Sequence, residues 1–213
     1  MRFDRVERAV HWTNAALFAI LIVTGAALYF TPLIALIGRR ELVESIHLYA
    51  GLALPVPLLL ALLGSWGRAL RRDLGRINRW TEADRRWLRG LVDARSGRQR
   101  PDSEAPQRIG KFNAGQKLNA AFTAGGALVM LATGSLLRWY EPFPLSWRAG
   151  ATFVHEWLAL LFVIVIAGHI VMALADTEAL RSMLLGRIGR GWASRHAPAW
   201  LEELSADSTA ERE

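Results

Sequence analysis

Four of the five histidines lie in apolar stretches of the sequence, where an imidazole is costly unless it has a partner. The stretch VHEWLALLFVIVIAGH (154–169) contains two of them, His155 and His169, with almost only hydrocarbon side chains between. On one helix, fourteen residues separate them by about 21 Å along the axis and by only about 40° around it. The two imidazoles therefore share a helix face at two depths, a pattern that indicates a function rather than chance.

The elements that position these histidines are four apolar runs, each about twenty residues or longer and able to cross a hydrocarbon core of roughly 30 Å. They cover residues 9–32, 43–66, 114–139 and 149–175. The sequence therefore predicts an all-α integral membrane protein, a single membrane domain over 1–213 built as a four-helix up-down-up-down transmembrane bundle. Pro55 and Pro57 predict a kink in the second run.

The charge distribution predicts the orientation of this bundle. The net charge is +7, and residues 67–112 carry thirteen Lys and Arg against six acidic residues. Because basic loops stay in the cytoplasm, this long loop between the second and third runs, the tail 176–213 and both termini are expected there. The topology accounts for the excess positive charge, so no nucleic-acid partner is expected.

Within the loop, TEADRRWLRGLVDA (81–94) predicts a short helix on the membrane surface, with Thr81 and Asp84 at its start. The polar segment 95–108 is expected to be a mobile connection. The chain has no cysteine, which excludes disulfides, cysteine-ligated iron–sulfur clusters, thiolate zinc sites and covalently attached haem.

Topology sorts the four histidines into two pairs at matched depths. His47 comes early in a span that starts outside and pairs with His155 near the outer face, while His11 pairs with His169 near the inner face. Two imidazoles facing each other across a helical bundle are suited to axial ligation of haem b, so two non-covalent haems are predicted. The alternatives are histidines that pack by hydrogen bonds, that relay protons, or that bind zinc or iron.

Small residues in the same spans would give a planar macrocycle the space it needs between helices. They are Gly25, Gly51, Gly125, Gly126 and Gly134. Taken alone, such residues more often indicate close helix–helix packing.

Several motifs resemble the membrane b-type cytochrome (gamma) subunit of respiratory formate dehydrogenases. They are RVERAVHW (5–12), KFNAGQKLN (111–119), the histidine pair of the last span and RIGRGWASRHAPAW (187–200). The resemblance covers nearly the whole chain, and its most specific part is the NAGQK sequence.

The resemblance implies two haems b, the outer one held by His47 and His155 and the inner one by His11 and His169. It also implies a quinone site formed by Asn113, Gly115 and Gln116 next to His169, where menaquinone or ubiquinone is reduced. Read from the residues alone, Asn113 is more simply the N-cap of the third span. The alternative is that the amides serve a quinone carbonyl, with Gly115 allowing a ring to approach the backbone.

The resemblance further implies the setting of the protein. The partners would be an iron–sulfur (beta) subunit and a molybdenum- or tungsten-containing catalytic (alpha) subunit on the outer side of a bacterial inner membrane. Electrons would pass from the iron–sulfur subunit through the outer and then the inner haem to quinone, with protons taken from the cytoplasm. Formate would be oxidised elsewhere in the complex, not on this chain. Membrane lipid and a higher oligomer of heterotrimers are further expected partners.

Two other functions fit parts of the pattern. One is the b-type cytochrome subunit of a membrane-bound hydrogenase, which would also carry two haems. The other is a haem-free membrane anchor or a proton-coupled transporter that uses the histidines as relays.

Overall fold

The computed structural model describes residues 1–96 and 108–210. Within these ranges the chain is helical and forms no β-strand. In chain order the helices are α1 (Arg5–Tyr29), α2 (Thr31–Ile37), α3 (Arg40–Ala53), α4 (Val56–Leu63), α5 (Arg68–Asn78), α6 (Glu82–Ser96), α7 (Ala114–Arg138), α8 (Leu145–Ala175), α9 (Thr177–Leu185), α10 (Arg190–His196) and α11 (Pro198–Ala210), with a 3-10 turn at Ser65–Gly67.

The four predicted spans are confirmed as helices long and apolar enough to cross a membrane. They are α1, the segment Arg40–Leu63 that contains α3 and α4, α7, and α8. Large apolar side chains on these helices remain exposed, for example Leu128 (67%) and Val171 (64%). Such surfaces are stable only in contact with lipid or with another protein, as expected for a multi-pass membrane protein.

The first span begins and ends earlier than the apolar run predicts. Asp4 and Glu7 form a reciprocal capping box, in which each carboxylate accepts from the backbone N–H of the other residue. This cap starts α1 at Arg5, ahead of the apolar residues. The helix ends at Tyr29, and Pro32 lies in the first turn of the separate helix α2, where a missing N–H has no cost.

The kink predicted from the prolines of the second span is confirmed as an interruption. α3 ends at Ala53, and α4 begins at Val56. Pro55 has no backbone N–H to donate to the preceding turn, and the N–H of Leu54 bonds to Gly51 O at 3.2 Å, one residue short of the α-helical partner.

The chain divides into two compact units. The first, here called the bundle unit, contains residues 4–70 and 123–175, and therefore most of the four spans. The second, here called the loop unit, contains residues 1–3, 71–122 and 176–213. In the bundle unit α1 packs against α3 and α4, with Ala27, Ile34 and Val43 forming a small buried cluster.

In the loop unit, the short helix predicted over 81–94 is found as α6. The backbone N–H and the hydroxyl of Thr81 each donate to the Asp84 carboxylate at 2.8 Å, which fixes the start of this helix as the sequence suggests. Most of the connection predicted over 95–108 lies outside the described residues.

The tail forms α9, α10 and α11 around a cluster of Trp192, Ala193, Ala197 and Trp200. Trp192 donates its indole N–H to the Asp176 carboxylate at 2.9 Å, and the Arg2 guanidinium lies 4.3 Å from the centre of its ring. Arg2 also bonds to Ser182 at 3.3 Å. Burial lowers the pKa of Arg2 to about 10, although the nearby Asp176 carboxylate opposes this shift. The N-terminal residues therefore fasten the tail within this unit.

Candidate haem-binding site

The structure brings the four span histidines together as two pairs. The rings of His47 on α3 and His155 on α8 have centroids 6.3 Å apart and planes inclined by 63°. Those of His11 on α1 and His169 on α8 have centroids 6.3 Å apart and planes inclined by 57°. The pairing is the one predicted from topology, and all four residues belong to the bundle unit.

The spacing of both pairs suits an iron atom between two imidazoles. With a metal–nitrogen bond of about 2 Å and about 1 Å from each nitrogen to its ring centre, two opposed imidazoles have centroids about 6 Å apart. The observed 6.3 Å in each pair matches this requirement. The alternative to a bridging metal is a direct hydrogen bond between the two imidazoles of a pair, which requires a nitrogen of one ring to point at a nitrogen of the other. Among the described residues, no such bond joins either pair. The residues present therefore fit bis-histidine ligation.

Two threonines contact one of the pairs, and sequence reasoning missed them. Thr24 Oγ1 on α1 lies 2.8 Å from His47 Nδ1, and Thr133 Oγ1 on α7 lies 2.9 Å from His155 Nδ1. The signal that could have found them is the repeat of a Thr-Gly dipeptide in the first and third spans, within VTGA (23–26) and ATGS (132–135).

The glycine of each dipeptide lies against the same imidazole. A methyl group at Gly25 would lie 3.3 Å from His47 Cε1, and one at Gly134 would lie 3.2 Å from His155 Cε1. Both distances are tighter than ordinary van der Waals contact. The space at these two glycines is therefore taken up by the histidine rings, which the sequence did not reveal.

An aromatic pair occupies the level between the two histidine pairs. Phe162 is seven residues from both His155 and His169 on α8, and its buried ring lies 5.3 Å from that of Phe18 on α1. A methyl group added at Gly126 on α7 would lie 2.8 Å from Phe162 Cζ, whereas one added at the adjacent Gly125 would meet nothing within 4 Å. Gly126 thus makes room for Phe162, and Gly125 has no comparable role.

No cluster of three or more His, Cys, Asp or Glu side chains suited to a metal ion occurs in the described part of the chain. The zinc or iron sites weighed from the sequence would need such a cluster of donors. Pairs of imidazoles instead suit a metal whose other ligands come from a cofactor, as in haem.

The predicted quinone-site residues lie at the start of α7 in the loop unit, where each has a structural partner. Asn113 Oδ1 accepts from the backbone N–H of Gln116 at 2.9 Å, and Gln116 Oε1 accepts from that of Asn113 at 3.1 Å. This is a reciprocal capping box, so Asn113 is the N-cap that the residues alone favoured. A methyl group at Gly115 would lie 3.0 Å from the Trp87 ring, so the lack of a side chain at this position leaves room for that ring. His169, the fourth predicted residue, belongs to the bundle unit.

The two lysines that flank this segment form buried ion pairs, which sequence reasoning also missed. Lys117 Nζ lies 2.7 Å from Asp84 on α6 and donates to the carbonyl of Arg79 at 2.8 Å. Lys111 Nζ pairs with Asp73 on α5. The signal was available in the loop, where Asp73 and Asp84 are acidic positions in strongly basic surroundings. The KFNAGQK segment therefore joins α5, α6 and the start of α7.

Comparison with known proteins identifies the family. The sequence model of the prokaryotic cytochrome b561 family matches residues 2–191. The chain belongs to the prokaryotic cytochrome b561 family. Membership makes it a b-type cytochrome, which implies haem b and electron transfer.

Individual relatives confirm the resemblance read from the motifs. This cytochrome b561 homologue is 25% identical over 210 residues to the cytochrome b556(Fdn) subunit of the nitrate-inducible formate dehydrogenase of Escherichia coli K12, covering 96% of this chain and 91% of the relative. It is 24% identical over 210 residues to the formate dehydrogenase cytochrome b556 subunit of Haemophilus influenzae, covering 95% and 82%. It is 25% identical over 211 residues to the cytochrome b556(fdo) subunit of Escherichia coli K12, covering 96% and 92%.

Proposed function

We propose that this chain is the dihaem cytochrome subunit of a formate dehydrogenase, which holds one haem b between His47 and His155 and another between His11 and His169. The observation that carries the proposal is the equal centroid spacing of 6.3 Å in the two histidine pairs. When bound, the haems supply one-electron carriers at two depths of the bundle. The relatives' names, all formate dehydrogenase cytochrome subunits, support the complex in which this happens.

The electron donor in this proposal is an iron–sulfur (beta) subunit on the outer side, supplied in turn by a molybdenum- or tungsten-containing alpha subunit that oxidises formate. This chain has no cysteine with which to ligate a cluster of its own. The basic loop and tail face the cytoplasm of a bacterial inner membrane, so the donor docks on the opposite side.

The acceptor in this proposal is a quinone, either menaquinone or ubiquinone, and its binding residues are Asn113, Gly115, Gln116 and His169. Two electrons and two protons convert the quinone to quinol, and the protons come from the cytoplasm. Since the amide oxygens of Asn113 and Gln116 are engaged in the capping box, their NH₂ groups are the donors left to bind a quinone carbonyl. The capping box thus orients the two donors.

Native membranes containing the complex give the direct test. Formate added under anaerobic conditions should reduce the b-type haem, seen as growth of the α and Soret bands, and a quinone analogue should then reoxidise it. Reduction by hydrogen but not by formate would overturn the formate dehydrogenase assignment in favour of a hydrogenase. Absence of a haem spectrum from the purified chain would overturn the cytochrome function, and a membrane anchor or a proton-coupled transporter would be the remaining functions.

A further inference from the structure

The two Thr-Gly dipeptides make matching contacts with the histidines of one pair only. Thr24, in the last third of α1, contacts His47 at the middle of α3, 23 residues later. Thr133, in the last third of α7, contacts His155 in the first half of α8, 22 residues later. Each contact thus closes a hairpin of two consecutive spans, and the two hairpins present their histidines to each other.

The hydrogen-bond directions follow from the protons available. A threonine hydroxyl has one proton and two lone pairs. Thr24 Oγ1 donates to Ile20 O at 2.7 Å, and Thr133 Oγ1 donates to Val129 O at 2.8 Å. With its proton used in this way, each hydroxyl oxygen accepts from the Nδ1–H of its histidine. The Nε2 atom of each imidazole then carries the lone pair, which is the atom that can bind iron.

The glycines make the same contact possible at close range. Gly25 and Gly134 follow the two threonines directly, and the imidazole of His47 or His155 lies where a β-carbon would crowd it. The ring is therefore held on one side by the glycine backbone and at Nδ1 by the threonine oxygen. In the described residues, the rings of His11 and His169 make no hydrogen bond of this kind.

We propose that Thr24 and Thr133 are positioning residues, which fix the tautomer of His47 and His155 and lower the reduction potential of the haem iron held between them. The proposal rests on the haem ligation proposed above. An acceptor at Nδ1–H increases the basicity of the imidazole toward the metal, and a more basic ligand favours ferric over ferrous iron. Because the other pair lacks this contact, the haem at His47–His155 has the lower potential of the two. Electron transfer from this haem toward His11–His169 is then downhill.

A redox titration of the purified complex, followed at the b-type α band, tests this proposal. Thr24→Val and Thr133→Val keep the side-chain shape but remove the acceptor. Each should raise the lower of the two midpoint potentials, with a change on the order of tenfold in the ferrous-to-ferric ratio, about 59 mV for one electron. The higher potential should stay unchanged. Thr24→Ser and Thr133→Ser retain the hydroxyl and should restore the wild-type value.

Thr152→Val is the matched control. This threonine also lies on a span and also bonds to its own helix, with Oγ1 donating to Arg148 O at 3.1 Å, but it is exposed and makes no hydrogen bond to a histidine. Its replacement should move neither potential.

The possible outcomes separate this proposal from the one it rests on. Unchanged potentials in both valine variants, or equal shifts of both haems, would overturn the role of the threonines while leaving haem ligation intact. If a valine variant loses the haem, the proposal requires that the serine variant of the same threonine retain it. Loss of the haem from both the valine and the serine variant would also overturn the proposal. Wild-type protein without haem would instead overturn the proposed function.

Discussion

The ammonium group of Lys117 lies 2.7 Å from a carboxylate oxygen of Asp84, and both side chains are almost fully buried. Removing one partner leaves the other charge buried and unpaired, which costs about 3–5 kcal/mol. Lys117→Met should therefore lower the free energy of unfolding by about this amount, measured by chemical denaturation in detergent. The double variant Lys117→Met/Asp84→Asn, which removes both charges but keeps a side-chain oxygen to accept from Thr81, should recover most of the loss.

The exposed ion pair of Arg89 and Glu82 on α6 provides the comparison. Arg89→Met should cost less than about 1 kcal/mol, because solvent screens an exposed pair. A Lys117→Met variant as mild as Arg89→Met would contradict the structural role given to the lysine.

The same ion pair predicts how stability depends on pH. Burial by itself would raise the pKa of Asp84, but hydrogen bonds from Lys117 and Thr81 outweigh it and hold the pKa below its ordinary value of 3.8. A carboxyl whose pKa is lower in the folded state stabilises that state fully at any pH above its pKa in the unfolded chain. This contribution is lost as the pH falls through its pKa in the folded state. The difference in Tm between wild type and Asp84→Asn should be largest near neutral pH and should shrink below pH 3.8. A difference independent of pH in this range would be inconsistent with the ion pair.

Gln116→Glu separates the two roles assigned to this residue. Glutamate is as good a capping-box acceptor as glutamine at this position, but it lacks the NH₂ group proposed to bind quinone. The variant should keep wild-type haem content and Tm while formate-dependent quinol formation falls by roughly tenfold or more, the loss expected when a donor to a buried carbonyl is removed. Asn113→Asp tests the other amide in the same way. Full quinone reduction in both variants would place the quinone elsewhere.

Two neighbouring glycines of α7 predict opposite effects on stability. Gly126→Ala would place a methyl group 2.8 Å from Phe162 Cζ, so this ring must shift, at a cost of about 1–3 kcal/mol. Gly125→Ala meets open space and should be neutral or stabilising by up to about 1 kcal/mol, because alanine is the better helix former. The Tm of each variant in detergent tests this difference. Equal values would show that the ring of Phe162 does not depend on Gly126.

Hydropathy and residue spacing alone predict the spans of this fold and the pairing of its histidines. The four spans follow from apolar length alone, and the pairing of His47 with His155 and of His11 with His169 follows from depth on helices of alternating direction. These are one-dimensional properties of the sequence. The interruption at Pro55 was predictable for the same reason, since proline removes a backbone donor wherever it occurs.

Properties that depend on side chains meeting across the fold were not predictable in the same way. The sequence does not tell which face of α1 carries Thr24 to His47, nor that Gly134 admits an imidazole rather than a macrocycle. The partners of Lys117 and Gly115, namely Asp84 and Trp87, lie about thirty residues earlier on another helix. These contacts depend on how α6 packs against α7, which residue spacing does not predict.

Haem content per chain tests the central claim most directly. Purified wild-type protein, reduced with dithionite, should contain two low-spin haems b per chain. His47→Ala, His155→Ala and the double variant should each retain one haem, and His11→Ala and His169→Ala should each retain the other, with a different α-band maximum or midpoint potential. Fewer than two haems in the wild-type protein, or two haems retained after His47 and His155 are both replaced, would contradict the account.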